Sequence, residues 1–280
     1  MHLPTFLLGR MAMNLLAFLT MIIFTDLDGT LLDHQTYSFD AARDALAAIK
    51  AKGIALIFAT SKTAAEVRPL QRAVGIDLPA IVENGAGIAW PARSDGDDDP
   101  YLSIRRHIAA LPREAAGAFR GFGDMSADEV AEATGLSPEA SRLARQRRHS
   151  EPGLFTGSLE QRRAFDAFLA EAGLKAVQGG RFLTISAGRT KADCMDEIIE
   201  WHGNGETGQR PVTLALGDAP NDVAMLEHAD FAFIVRNDAH PALPRLIGED
   251  TGRIRRTREP GPAGWNEAVL SFINLHSTST

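Results

Sequence analysis

The chain of 280 residues has one cysteine, Cys194. An internal disulfide is excluded, which fits a reducing compartment, and a cytoplasmic location is the expectation. Cys194 itself reads as a small buried apolar residue. An excess of positive charge is also missing: 29 Lys and Arg face 36 Asp and Glu, for a net charge of −7. Phosphate backbones are neutralised by clustered basic side chains, so nucleic acid is not an expected partner. A long unbroken hydrophobic run is absent too. The most apolar stretch, "MHLPTFLLGRMAMNLLAFLTMIIFTD", is interrupted by Arg10 and Asn14 and lacks a small-residue cleavage pattern. Neither a membrane span nor an export peptide is therefore expected. Residues 1–20 read as a loosely attached extension or an over-extended start, with Met11, Met13 and Met21 as alternative starts. There is no internal repeat. The eight histidines show no metal-ligand spacing, and His228 and His240 read as surface residues.

What is present is an ordinary globular composition, 45% hydrophobic and 23% charged. The length suits a core plus a second domain. "MIIFTD" and "IALIFAT" are apolar, β-branched runs of buried strands. Between them, "SFDAARDALAAIKAKG" has a capping serine, a recurring apolar face and a terminal glycine, the signature of a helix. "KTAAEVRPLQRAVGI" predicts a second helix and "PAIVENGAGIAW" a third strand. Alternation of this kind argues for a parallel sheet covered on both faces, with ligands at the carboxyl ends of its strands.

The middle of the chain changes character. "PARSDGDDDP" reads as a polar surface loop. From Tyr101 to about Ser186, short strands ("GLFTG", "KAVQG", "RFLTIS") mix with alanine-rich helices. "RQRRH", residues 145–149, reads as the solvated end of one of these helices. The alternating pattern then resumes in "TKADCMDEIIEWHG", "PVTLALGD", "NDVAMLEHAD" and "FAFIVRN", and "STST" ends the chain as a frayed tail. The expectation is an α/β core, 21–88 with 188–280, interrupted by an α+β insertion, 89–187.

The chemistry concentrates in "IIFTDLDGTLL". Two carboxylates at the end of a buried strand are costly unless a cation or a reaction uses them. If the strand continued, Asp26 and Asp28 would share one side. A hard cation such as Mg²⁺ takes oxygen ligands, commonly carboxylates, phosphate oxygens and waters. A carboxylate can also attack phosphorus, and a neighbouring acid can move the proton. "LALGDAPNDVAML" places Asp218, Asn221 and Asp222 just past a second apolar strand. "LIFATSKT" ends a strand with Thr60 and Ser61, hydroxyl donors suited to phosphoryl oxygens. Lys191 opens a helix, where a nearby anion would remove its conflict with the dipole.

The order DLDGT, TSKT, Lys191, GDAPND resembles the four motifs of the haloacid dehalogenase-like (HAD) phosphatase superfamily. The α+β insertion resembles its type IIB cap. The resemblance implies a doubly wound, Rossmann-like core and a magnesium-dependent phosphomonoesterase. It makes Asp26 the nucleophile and Asp28 the general acid/base. Asp26, the Asp28 carbonyl, Asp218 and Asp222 would hold Mg²⁺, supported by Asn221. Thr60 and Lys191 would hold the transferring phosphoryl group. "TKAD" around Lys191 departs from the D-K-G usual in the superfamily. "TSKTAAEV", "IVENGAGI", "SEPGLFTGS", "GGRFLTI" and "GPAGWNEAV" are similar to the mannosyl-3-phosphoglycerate phosphatases. That likeness implies a phosphorylated sugar-glycerate substrate, with Ser61, Lys62 and Arg181 as binding residues, the last for a carboxylate. A broad sugar phosphatase, a phosphomutase and a non-catalytic sugar-phosphate sensor are the alternatives. The oligomeric state is left open.

Overall fold

The computed structural model describes residues 21–91, 100–203 and 210–277. The expectations for residues 1–20, for most of "PARSDGDDDP" and for the last three residues lie outside it. Among the described residues, no helix is long and apolar enough to cross a membrane.

The chain forms two compact units, one up to Thr60 and from Lys191 onward, the other Ser61–Thr190. The first begins with β1 (Met21–Thr25), α1 (Arg43–Lys52) and β2 (Ala55–Phe58). The second contains α2 (Ala64–Val74), β3 (Ala80–Val82), β4 (Gly87–Ala89), α3 (Pro100–Ala109), β5 (Phe119–Gly121), α4 (Ala127–Thr134), α5 (Pro138–Ala144), β6 (Ser150–Phe155), α6 (Leu159–Glu171), β7 (Lys175–Gly179) and β8 (Phe182–Ser186). The first unit resumes with α7 (Lys191–Gly203), β9 (Val212–Gly217), α8 (Val223–His228), β10 (Phe231–Arg236), β11 (Ile254–Pro260) and α9 (Gly261–Ser277).

In the first unit, five strands form a sheet in the order β11-β10-β9-β1-β2, and every pairing is parallel. β1 lies between β2 and β9, so all five of its residues are buried. Ile22, Ile23 and Phe24 are fully covered, each contributing about 1.5–3 kcal/mol by leaving water. The order runs outward in both directions from the β9–β1 pair, the doubly wound arrangement that opens a crevice at the strand ends. β11, "IRRTREP", was not legible as a strand because it is charged; it is an exposed edge strand, where arginines are tolerated.

The C-terminal helix anchors the centre of this sheet. Trp265 is fully buried, and its indole Nε1 donates to Thr25 Oγ1 at 2.9 Å. The Thr25 hydroxyl donates to the Asp26 carbonyl at 2.7 Å. Asn266 accepts the Ala45 amide at 2.8 Å, satisfying a donor in the first turn of α1. "GPAGWNEAV" thus ties the last helix to the strand that precedes Asp26.

In the second unit, the four-stranded antiparallel sheet β5-β6-β8-β7 packs on α3 and α6. Ile104, Phe119, Phe165, Leu169, Leu183 and Ile185 form the shared core. The predicted third strand, β3, is not part of the parallel sheet: it pairs antiparallel with β4 in a separate two-stranded ladder. The reversal runs through Asn84 and Gly85, both in the left-handed region at φ 60° and 87°. A second correction concerns "RQRRH". Its backbone and side chains gather on the buried Glu83 carboxylate. Glu83 accepts from the amides of Arg148 (2.9 Å) and His149 (3.2 Å) and from the Ser150 hydroxyl (2.8 Å). Arg147 Nε lies 3.2 Å from Glu83 Oε2, with its side chain 8% exposed. The segment is therefore an internal clasp rather than a solvated end.

Breaking a buried ion pair by removing one partner costs about 3–5 kcal/mol. Glu83→Ala should lose stability of that size in urea unfolding, and a loss of only about 1 kcal/mol, the worth of one ordinary hydrogen bond, would contradict the clasp.

Candidate active site

The sheet delivers acidic residues to one place. β1 ends at Thr25, and the Asp26 amide donates to the Leu216 carbonyl of β9 at 2.8 Å. Adjacent strands lie about 4.8 Å apart, so residues just past their ends become neighbours. Asp26 follows β1 and Asp218 follows β9. Oxygens of Asp26, Asp218 and Asp222 lie within 4.8 Å of one another, and all three residues are buried.

Lys191, the first residue of α7, reaches into this cluster. Its ammonium donates to Asp26 Oδ1 and to Asp222 Oδ1, each at 2.6 Å, and the residue is 1% exposed. The other oxygen of Asp222 accepts the amides of Asp218 and Ala219 at 3.0 Å each. Asp222 is thus fixed by backbone and aims Lys191 at Asp26. Close packing makes this possible at Gly217, where a Cβ would lie 2.6 Å from the Asp222 Cβ.

Asp218 is held from both sides. Thr30 donates to its Oδ1 at 2.5 Å, and Asn237 donates to its Oδ2 at 2.8 Å. His240 Nε2 is also 2.8 Å from Oδ2. Its Nδ1 lies 3.0 Å from the Pro241 carbonyl, so both ring nitrogens face acceptors. Only a doubly protonated ring satisfies both. The imidazole pKa is raised: partial burial pulls it down, but the Pro241 carbonyl and the Asp218 carboxylate outweigh that. Gly29, at φ 84°, leaves room for this approach, since a Cβ there would sit 2.2 Å from Asn237 Nδ2.

The electrostatics are unbalanced. Three buried carboxylates face the Lys191 ammonium, which reaches two of them, and the partly exposed His240 ring on the third. Burial pushes the Asp26 carboxyl well above the usual range, Asp222 and Asp218 add to the rise, and Lys191 opposes it. Lys191 is held charged, because Asp222 and Asp26 more than offset the cost of its burial. A bound cation would reverse the shift on Asp26. The donor set is all oxygen and buried, which fits a hard divalent ion.

Among the other predicted residues, Asp28 lies past the strand end, in a turn closed by Leu32 N to Leu27 O at 2.8 Å. Strand alternation therefore stops before Asp28, and the three-carboxylate cluster does not include it. Thr60 is buried one residue beyond Ala59, whose amide donates to the Thr25 carbonyl at 2.8 Å. Asn221 sits in the short turn before α8. Ser61, Lys62 and Arg181 belong to the second unit. There, the Ser61 carbonyl accepts from Arg147 at 3.3 Å, and the Lys62 carbonyl accepts the Glu83 amide at 2.9 Å. Arg181 is exposed, donates to the Thr134 carbonyl at 3.3 Å and lies over the Phe182 ring at 5.7 Å. His228 pairs with Asp196 at 2.8 Å; His240, similarly part-exposed, also reaches the buried Asp218. Thr30, Asn237 and His240 are the site residues that sequence reasoning missed. Thr30 stood inside DLDGT; the other two lie in a loop without periodicity.

Residues 23–98 match the family described as haloacid dehalogenase-like hydrolase. A glucosyl-3-phosphoglycerate/mannosyl-3-phosphoglycerate phosphatase of Persephonella marina is 34% identical, covering 91% of this chain and 97% of the relative. Among solved structures, the sucrose-phosphatase of Synechocystis sp. PCC6803, in complex with sucrose and phosphate, aligns with a TM-score of 0.58 at 20% identity. That alignment covers 91% of this chain and 98% of the other. A HAD subclass IIB sugar phosphatase aligns with a TM-score of 0.58 at 20% identity, covering 92% and 100%. These structural likenesses support the fold.

Lys191→Met would leave Asp26 and Asp222 facing each other without a cation. In EDTA it should cost about 3–5 kcal/mol in urea unfolding, and added divalent metal should recover part of that by binding the native state. Unchanged stability in EDTA would contradict the geometry.

Proposed function

We propose a magnesium-dependent phosphomonoesterase working through an aspartyl-phosphate, on the premise that the chain belongs to the haloacid dehalogenase-like hydrolases and is a phosphatase of that family. The observation that carries this reading is the Lys191 ammonium, 2.6 Å from Asp26 and from Asp222, inside a buried cluster that Asp218 completes. A nucleophilic carboxylate needs positive charge beside it, both to stay ionised and to draw in a phosphoryl group.

Asp26, Asp218, Asp222 and the Asp28 carbonyl would hold the ion, with Asn221 in support. When bound, Mg²⁺ would supply positive charge that offsets the charge of the transferring phosphoryl group. Asp26 attacks phosphorus in line, forming an O–P bond as the bond from phosphorus to the leaving oxygen breaks. Asp28 gives its proton to that leaving oxygen. Water then attacks the same phosphorus, Asp28 takes its proton, and the Asp26–phosphorus bond breaks to release phosphate. Lys191 and Thr60 hold the phosphoryl oxygens throughout.

For the substrate, we take mannosyl-3-phosphoglycerate, giving mannosylglycerate and phosphate, with the glucosyl analogue as the alternative. The name of the Persephonella marina relative, which carries both sugars, supports this choice. Ser61 and Lys62 are proposed contacts for the phosphate, and Arg181 for the glycerate carboxylate.

Phosphate release should be measured with a sugar-phosphate panel. Mannosyl- or glucosyl-3-phosphoglycerate should be the best substrate, hydrolysed without an activating bisphosphate and only with Mg²⁺. Turnover in EDTA, or none of the panel hydrolysed, would defeat the proposal. Asp26→Asn should lower kcat on the order of 10⁴-fold or more, as expected for a lost nucleophile. Arg181→Ala should raise KM for the glycerate substrate while leaving p-nitrophenyl phosphate hydrolysis unchanged; equal effects on both would remove Arg181 from the substrate site.

A further inference from the structure

We propose that His240 is a positioning residue that sets the Asp218 carboxylate for cation binding. This rests on the metal-site reading above but assigns a role to a side chain outside its acidic cluster.

The loop after β10 is folded to present two donors to one oxygen. The Asn237 carbonyl oxygen Oδ1 accepts the Ala239 amide at 2.9 Å, which fixes the side-chain orientation and turns Nδ2 toward Asp218. Nδ2 then donates to Asp218 Oδ2 at 2.8 Å. Three residues on, the His240 ring is anchored at Nδ1 by the Pro241 carbonyl (3.0 Å) and delivers Nε2 to the same Oδ2 at 2.8 Å. Thr30 occupies Oδ1 at 2.5 Å. A carboxylate offers about four lone-pair sites, so three partners leave it one. The carboxylate plane is locked, and the remaining acceptor capacity belongs to a cluster of acids that has a single ammonium.

Asp218 gains more from this than packing. Its side chain is 2% exposed, whereas that of His240 is 31% exposed and lines a cavity of about 390 Å³ with Asn237, Arg256 and Thr257. Truncating the ring therefore enlarges an existing open space instead of excavating the core. What the ring supplies is direction. Groups that orient a ligating carboxylate typically govern metal affinity, and their loss costs about 10–100-fold.

Manganese serves as the probe, titrated by electron paramagnetic resonance into the full chain as parent, His240→Ala and His240→Gln. Glutamine keeps a donor of similar reach without the ring. His240→Ala should weaken Mn²⁺ binding by about 10–100-fold, and His240→Gln should remain within about threefold of the parent. Thermal midpoints in EDTA that lie above the assay temperature for all three would show that any loss is one of affinity and not of folding. In turnover, the loss should appear in the metal concentration at half-maximal rate, with kcat at saturating metal preserved. Equal Mn²⁺ affinity in parent and alanine variant would overturn the proposal while leaving the metal site standing. So would a glutamine variant as weak as alanine, because hydrogen bonding would then not be what matters. A parent chain that binds no Mn²⁺ would overturn both the site and the role given to His240.

Discussion

A single buried ammonium is the charge against which the acids of this fold are set. Asp26, Asp218 and Asp222 are withdrawn from water, and Lys191 is the cation that reaches two of them. Like charges at about 4 Å repel by about 4 kcal/mol at an effective dielectric near 20. Lys191 and the His240 ring together do not cancel three carboxylates, so the cluster retains a negative surplus. Burial above all, with Asp222 and Asp218 adding to it against the pull of Lys191, raises the proton affinity of Asp26, and the surplus favours a divalent ion. Fold and chemistry are linked here: the packing that sets these carboxylates against one another also gathers an all-oxygen donor set that, on the proposed function, would take a cation beside Asp26.

The sheet order supplies the geometry. Because β9 and β1 are neighbours in the middle of a parallel sheet, the residues after each strand meet without a long loop. The remaining architecture supports that meeting point. Trp265 holds Thr25, which in turn holds the Asp26 carbonyl. Thr30, Asn237 and His240 hold Asp218, and the amides of residues 218 and 219 hold Asp222. Apart from the Asp218 amide that holds Asp222, these partners do not belong to the acidic set.

Much of this was legible in the chain. The unbroken apolar strands announced a parallel sheet, and the acids sat where such strands end. The residues 26, 191, 218 and 222 were each singled out; Asp26 and Asp218 converge because each follows a strand, while Asp222 joins them from the turn before α8 and Lys191 from the start of α7. Other parts were hidden for physical reasons. Period-two alternation suggested that Asp26 and Asp28 share a face, but the strand yields to a turn at Leu27, and alternation has no force there. β3 looks like a core strand by composition; the left-handed Asn84 and Gly85 send it into a hairpin-like ladder instead. β11 carries too much charge to read as a strand, since edge strands need not be apolar. Arg147 and its neighbours looked solvated because their anionic partner, Glu83, lies far back in sequence. His240 gave no signal at all: a histidine in an aperiodic loop acquires its meaning only from what the fold sets against it.

The central claim is that these acids enclose one divalent ion beside Asp26. The most direct measurement is anomalous scattering from crystals grown with Mn²⁺. The account predicts one strong peak within about 2.1 Å of carboxylate oxygens of Asp26 and Asp218, an ordinary bond length for small hard cations of this kind. A fully occupied peak elsewhere, or an empty cluster at saturating metal, would contradict it.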